Sequence, residues 1–265
     1  MQNKDRRIKT INNNKRMGTL YSRNIGVLLS KGKFIFPIDN DDMFFDNDVF
    51  KIIYERAKIN DYDIVGFKAI RAHSYKAKII EMNDDKYHLH KNNLLVNQPK
   101  LRLFSILNKE CHIWGKCIKT NIYKKAVNSL GIKRYSFNIC IAEDDTMVFI
   151  LFNFANSFKF VSKYGIFHLI SKNTASFSLS KEHIYFCRMY FLNILYDFTK
   201  NNYKEKKYVV KYALNLKKNK LFLKFLNNKN RKFFKLLLKK IINCSFIIIN
   251  SFYSSILILH YFIKI

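Results

Sequence analysis

Asp39, Asp41 and Asp42 follow directly on the apolar run Phe34–Ile38, and Asp46 and Asp48 come just behind. The chain has 48 Lys and Arg against only 19 Asp and Glu, so it gathers scarce carboxylates here. Ligands of open α/β sheets bind beyond the carboxyl ends of strands. Asp39 and Asp41, two residues apart in a turn at such an end, can converge on one hard divalent cation and share it with a phosphate. An Asp-rich turn that caps the next helix uses the same residue types, and both readings stay open; Asp46 or Asp48 suits the cap. A second acidic knot, Glu143, Asp144 and Asp145, precedes the apolar stretch Thr146–Phe152. One of these carboxylates can take the proton of a hydroxyl at hydrogen-bonding distance, and a neighbouring carboxylate raises its proton affinity. Helix capping is the competing reading, because acids favour a helix N-terminus. Trp114, the only tryptophan, stands two residues before Lys116. An aromatic face beside a lysine suits a sugar or a phosphate, while a core tryptophan is the ordinary alternative.

These residues need elements to position them. The stretch 19–34 reads as a helix, with Ser22 able to cap it and Gly32 suited to its end. Phe34–Ile38 has the length and composition of a strand buried on both faces, with Pro37 at its end. Residues 46–60 read as a helix with acids in its first turn and bases later, and 62–70 as a second apolar strand. Residues 72–100 are polar and give no clear element, and the His88–His90 pair reads as a solvated loop. A helix from Tyr123 to Leu130 should stop at Gly131. Another helix, from Asp145 to about Asn156, should lead into a strand. Helix, strand, helix, strand in this order is an α/β pattern.

The stretch Ser22–Phe44 resembles a segment of family 2 glycosyltransferases. Ser22, Arg23, Asn24 and Gly26, then Gly32, then Asp39, Asp41 and Asp42 fall on that family's A-R-N-x-G, A-x-G and D-x-D-D positions. The resemblance implies an α/β GT-A fold, a Rossmann-like mixed sheet flanked by helices. It implies Mn2+ or Mg2+ held against the diphosphate of a nucleotide-diphosphate-sugar donor. Asp39 would lie on the ribose or metal side, Asp41 on the metal, and Asp42, Arg23 and Asn24 against the donor. Residues 142–149 resemble the family's acceptor-side motif, which makes Asp144 the general base of an inverting transfer and Glu143 its acidic partner. Asp145 leaves the register open by one position. The stretch 113–123 resembles a W-x-K segment that would put Trp114 and Lys116 at the acceptor. His168 falls where relatives carry a metal or phosphate contact, with a packed histidine as the alternative.

The resemblance runs from about residue 10 to about residue 178. The family's opening P-x-Y-N strand and the strand with a base-reading aspartate have no counterpart here, so an N-terminally truncated domain over 1–178 is expected. Such a sheet would expose apolar edges. The implied reaction carries a sugar to a hydroxyl of a glycan or lipid-linked acceptor. A catalytically impaired remnant of such an enzyme is the alternative.

Composition sets the surroundings. At 265 residues and 49 % hydrophobic, the chain can bury a real core and is not a disordered one. A formal charge of +29 calls for an anionic partner. The aromatics sit in apolar runs and no nucleic-acid motif is present, so a specific nucleic acid is not expected. Residues 179–265 read as a helical, basic extension with very few acids, ending in the uncharged stretch 241–263. That stretch is long enough to span a bilayer, to lie in its surface or to pack on the domain. If it spans, the preceding lysines place the domain on the cytoplasmic side of the membrane. The five cysteines form no C-x-x-C pair and read as reduced, buried thiols.

Overall fold

The computed structural model describes residues 5–45, 48–72, 95–96, 112–131, 143–169, 180–199 and 236. Asp46, His88, His90 and the tail stretches 217–240 and 241–263 fall outside them, apart from Leu236. The chain divides into two compact units, Met1–Leu179 and Ser180–Ile265. The first contains α1 (Thr19–Leu29), β1 (Phe34–Ile35), β2 (Met43–Phe44), α2 (Val49–Ile59), β3 (Ile64–Ala72), β4 (Leu95–Val96), β5 (Lys116–Lys119), α3 (Thr120–Leu130), α4 (Glu143–Phe154) and β6 (Ser157–Leu169). The second begins with α5 (Lys181–Thr199), where the Ser180 hydroxyl accepts the His183 N–H at 3.2 Å and so caps the first turn. No helix among the described residues is long and apolar enough to cross a membrane.

The described strands form one mixed sheet in the order β1-β5-β3-β6-β2, with β4 also paired to β6. The central pair, β3 and β6, is parallel, and the other pairings are antiparallel. β3 is apolar almost throughout because both of its faces are covered. On one face Val65, Phe67 and Ala69 join Val49, Ile53 and Ala57, which the four-residue spacing of α2 puts in one line. On the other, Phe158 and Phe160 of β6 crowd Gly66, and Phe158 meets the Phe152 ring of α4. Every residue of α4 from Thr146 to Phe152 is buried. A helix buried all round needs apolar residues all round, which this stretch supplies.

Several boundaries differ from the sequence expectation. Ser22 lies inside α1, where its hydroxyl donates to the Gly18 carbonyl, so it is not the cap. α1 ends in extended Ser30, and Lys124 of α3 donates to the Ser30 carbonyl at 2.7 Å. Gly32 stays out of the left-handed region. β1 is shorter than expected and only half buried, because it is the end of the strand order and Pro37 has no N–H for a ladder. α2 has no acid in its first turn, and Asp48 makes no side-chain cap bond. α3 starts three residues early, tied by the Thr120 N–H to the Lys33 carbonyl at 3.0 Å, and stops at Gly131, whose φ of 76° suits glycine. Among the described cysteines, Cys117 and Cys187 are buried and outside any disulfide, as expected.

β3 and β6 do not run in step. Where β3 spends one residue, Lys68, between Phe67 and Ala69, β6 spends Ser162 through Gly165. This bulge brings Gly165 so close that a Cβ there would overlap the Phe67 ring and the Val49 side chain. Gly165→Ala should therefore destabilise the domain by about 1–3 kcal/mol, the usual cost of overpacking. Gly26→Ala is the control, since a Cβ there meets nothing within 4 Å inside a helix, and should stabilise by about 0.5–1 kcal/mol. Urea unfolding of the two variants reads both signs.

Candidate active site

Arg23 stands on α1 beside buried Asn24, and its guanidinium leaves the helix to meet two carboxylates. Nη2 donates to Asp39 Oδ1 at 2.8 Å and Nη1 to Asp144 Oδ1 at 2.5 Å. The side chains of Arg23, Asp144 and Asp39 are 13, 19 and 31 % exposed, so this bridge is largely out of water. The other oxygen of Asp144 accepts the Ile113 N–H at 3.1 Å. Two acidic motifs that lie far apart in sequence thus meet across one side chain.

The surroundings shift these groups. Burial lowers the proton affinity of Arg23, but Asp144, Tyr123, Asp39 and Glu143 together raise it further, so the guanidinium stays charged. Asp39 holds its proton more tightly than an ordinary aspartate, first through burial, with Asp144 and Asp41 adding to it and Arg23 opposing. Burial, reinforced by the Asp144 charge, pushes Glu143 up to about 8. Glu143 is thus a proton holder beside Asp144 near neutral pH.

A second corner forms around Asp42. β2 and β6 pair Met43 with Phe167, and one step along that register sets Asp42 opposite His168. Asp42 Oδ1 accepts the His168 Nδ1–H at 2.8 Å and the Leu169 N–H at 3.3 Å. This oxygen also receives a backbone N–H, which makes it the acceptor, so Nδ1 donates and Nε2 lies outside this bond. The Asp42 side chain is fully buried, and its Oδ2 has no hydrogen-bond partner. The imidazole of His168 stacks on Trp114 at 4.9 Å between ring centres, and His112 stacks on Trp114 at 4.3 Å.

The loop 112–115 joins the corners. It gives Ile113 N–H to Asp144 and Trp114 to His168, and then turns at Gly115, whose φ is 69° and whose carbonyl accepts the Phe67 N–H. A side chain at Gly115 would be strained by that φ and would press on the Phe67 carbonyl.

Of the residues expected from sequence, Arg23, Asp39 and Asp144 come together, with Glu143 and Asp41 within electrostatic reach. Asp42 and His168 pair with each other instead. Asn24 is apart from both: it is buried, its amide reaching the Met147 sulfur at 3.9 Å while Oδ1 has no partner. Trp114 has an imidazole stacked on it from each histidine, and Lys116 is buried with Nζ donating to the His112 carbonyl, so in this conformation neither offers an open face to an acceptor. Sequence reasoning missed His112 and the Ile113 amide. A backbone N–H has no sequence signature, and His112 was legible only as a neighbour of Trp114. No group of three or more His, Cys, Asp or Glu among the described residues converges as a cation cage.

Residues 1–125 match the family model described as glycosyl transferase family 2. This part of the chain is similar to that family. The Glu143–Asp144 motif lies beyond the matched residues, and its place beside Asp39 rests on the geometry above. Solved structures similar to the fold include S. aureus TarS 1–349, at TM-score 0.55 and 13 % identity, covering 86 % of this chain and 60 % of that one. TarS 1–349 in complex with UDP-GlcNAc gives TM-score 0.57 and 14 % identity, covering 87 % of this chain and 62 % of that one. The chain thus spans about six tenths of the length of the TarS structures. The likeness establishes a GT-A fold, a mixed sheet with flanking helices. A comparison with curated proteins gives no match.

The Glu143 shift has a consequence for stability. Its proton affinity is raised in the folded state, so between about pH 4.5 and 8 the folded chain binds a proton that the unfolded chain releases. Stability from this group is fully present below pH 4.5 and declines as pH rises towards 8. In Glu143→Gln that part of the slope should vanish, so the variant should gain on the parent at pH 8 relative to pH 5 in urea unfolding.

Proposed function

We propose that the protein is a glycosyltransferase that moves a sugar from a nucleotide-diphosphate donor to a hydroxyl of a glycan or lipid-linked acceptor with inversion. The observation that carries this reading is the Arg23 bridge, which sets the donor-side Asp39 beside the acceptor-side Asp144. The family match over residues 1–125 and the GT-A fold support it, as does the UDP-GlcNAc bound by TarS in its own structure.

A divalent metal, Mn2+ or Mg2+, would be held here by Asp39 and Asp41, with most of its ligands coming from the donor. Burial, then Asp144 and least of all Asp41, raise the proton affinity of Asp39, and a cation beside Asp39 and Asp41 would relieve the repulsion between these carboxylates. His168 Nε2, which the Asp42 bond does not use, would be a further ligand if it were brought to the same ion. Such a metal would offset the charge of the leaving diphosphate.

The chain's own residues divide the remaining work. Arg23 places a fixed positive charge between the two carboxylate corners. Asp144, positioned by the Ile113 N–H, accepts the proton of the acceptor hydroxyl as its oxygen attacks the anomeric carbon. The bond from that carbon to the diphosphate breaks in the same step. Glu143, holding its own proton, keeps a second negative charge from crowding the base. The basic extension suits a site of work at an anionic cytoplasmic membrane face.

The test is release of nucleoside diphosphate by the full chain with a panel of nucleotide-sugars, Mn2+ and glycan acceptors. Asp41→Asn and Asp144→Asn should each lower turnover by about a hundredfold or more while the fold persists by circular dichroism. Turnover unchanged in both variants sinks the assignment.

A further inference from the structure

α2 turns Val49, Ile53 and Ala57 into the core, which leaves a second line of side chains beside them. Phe50, Tyr54 and Lys58 follow at four-residue spacing and so stand in one row. Phe50 and Tyr54 are large apolar rings, yet they remain 41 and 37 % exposed. A parallel row, Lys33, Phe34 and Phe36, runs along β1 at the edge of the sheet. The two rows meet ring to ring. Phe34 lies 5.8 Å from Tyr54 between ring centres and Phe36 lies 4.8 Å from Phe50, with Phe44 closing on Phe50 at 4.0 Å. Each row ends in a lysine whose ammonium sits over the adjoining ring, Lys33 over Phe34 at 5.7 Å and Lys58 over Tyr54 at 5.9 Å. Because those two rings touch, both ammoniums fall at the same end of the aromatic band.

The chemistry of this band selects its partner. Aromatic rings settle at the headgroup level of a bilayer, and lysines lay their stems along apolar surface while the ammonium reaches phosphate and water. The core of a protein interface, by contrast, is depleted of lysine. An added strand would find only a two-residue edge followed closely by Pro37, a poor template for a ladder. The exposed ionisable groups of α2 are Lys51, Arg56 and Lys58 against Glu55 alone, and the chain as a whole carries +29. That charge complements an anionic surface. We propose that the α2–β1 band is a membrane-docking face, with Phe50 and Tyr54 seated among the headgroups of an anionic bilayer and Lys33 and Lys58 on lipid phosphates. This contact belongs to the sheet domain itself, apart from the basic extension, and it stands without the transfer reading. It gives the domain a fixed attitude towards the surface rather than a tether alone.

The test is flotation of the full chain with vesicles of about three parts phosphatidylcholine to one part phosphatidylserine. Phe50→Ser combined with Tyr54→Ser should lower the bound fraction constant by about tenfold. Lys33→Gln combined with Lys58→Gln should cost about tenfold on these vesicles and little on phosphatidylcholine alone. Ile59→Ser, on the opposite side of α2 from Phe50, should change nothing. Tyr54→Trp reads the face directly, whatever else on the chain holds the vesicle. Acyl chains brominated near the headgroup should quench the added indole, while Trp114, which is buried, reports the background in the parent chain. No vesicle binding by the folded parent overturns the proposal, and so does a vesicle-bound Tyr54→Trp chain whose emission is unquenched. A dimer in sedimentation velocity that Phe50→Ser with Tyr54→Ser abolishes would make the band a contact between copies, and that result overturns it too.

Discussion

Asp39, Glu143 and Asp144 lie within electrostatic reach of one another, and the buried cation they share is Arg23. Taking charge out of water is costly unless it is balanced where it is buried. One guanidinium cannot neutralise three carboxylates, and the imbalance is met in two ways. Burial and the Asp144 charge keep a proton on Glu143 near neutral pH. Asp39, the most exposed member of the bridge, remains beside Asp41 at a turn where further positive charge is favourable. The placement of α1 against α3 and α4 follows from the same constraint, because Arg23 can reach both acids only if its helix lies between the β1 turn and the start of α4.

The sheet adds a second level of control through the loop 112–115. Its Ile113 amide fixes Asp144, its Trp114 ring carries His168, and Gly115 returns the chain to pair with β3. These are rigid contacts of backbone and aromatic rings, so both corners are registered to the same strand, β5. Buried Lys116 begins that strand and ties back to the His112 carbonyl, closing the loop on itself. Asp63 performs a related task at the far end of β3, where it accepts the Asn156 N–H at 2.7 Å and the Lys119 ammonium at 2.9 Å. The start of the central strand is thereby held by polar contacts.

Much of this was legible in the sequence, for reasons that can be named. Apolar runs of strand length announced β3, and acids followed by bases over residues 46–60 announced α2, although its first turn holds no acid. The acidic clusters at 39–42 and 143–145 marked where strand and helix ends would collect charge. The pairing between clusters was not legible, since no pattern in the sequence says that Arg23 contacts a residue 121 positions away. Asn24 was misleading in the other direction: it is adjacent to Arg23 in sequence, yet a step of about 100° around a helix turned it into the α1–α4 contact. Ser22 and Gly32 had the chemistry of helix ends, but packing of α1 on α3 moved those ends elsewhere. The same limit applies to Trp114, whose type suggested a sugar platform while its neighbours His112 and His168 cover it.

The mismatch between β3 and β6 governs which way a side chain points. Successive residues of a strand alternate between its faces, so an odd excess of residues on one strand reverses the parity of everything beyond it. β6 carries such an excess between Val161 and Ile166. Ahead of it the even-numbered Phe158 and Phe160 crowd Gly66, opposite to the face that holds Phe67 and Trp114. Beyond it the even-numbered Ile166 joins Phe67 and Trp114, and His168 follows on the same side to meet Asp42. An uninterrupted ladder would have sent that imidazole through to the opposite side of the sheet. An insertion or deletion of one residue at the bulge would thus act as a mutation of His168, although the histidine itself was left untouched.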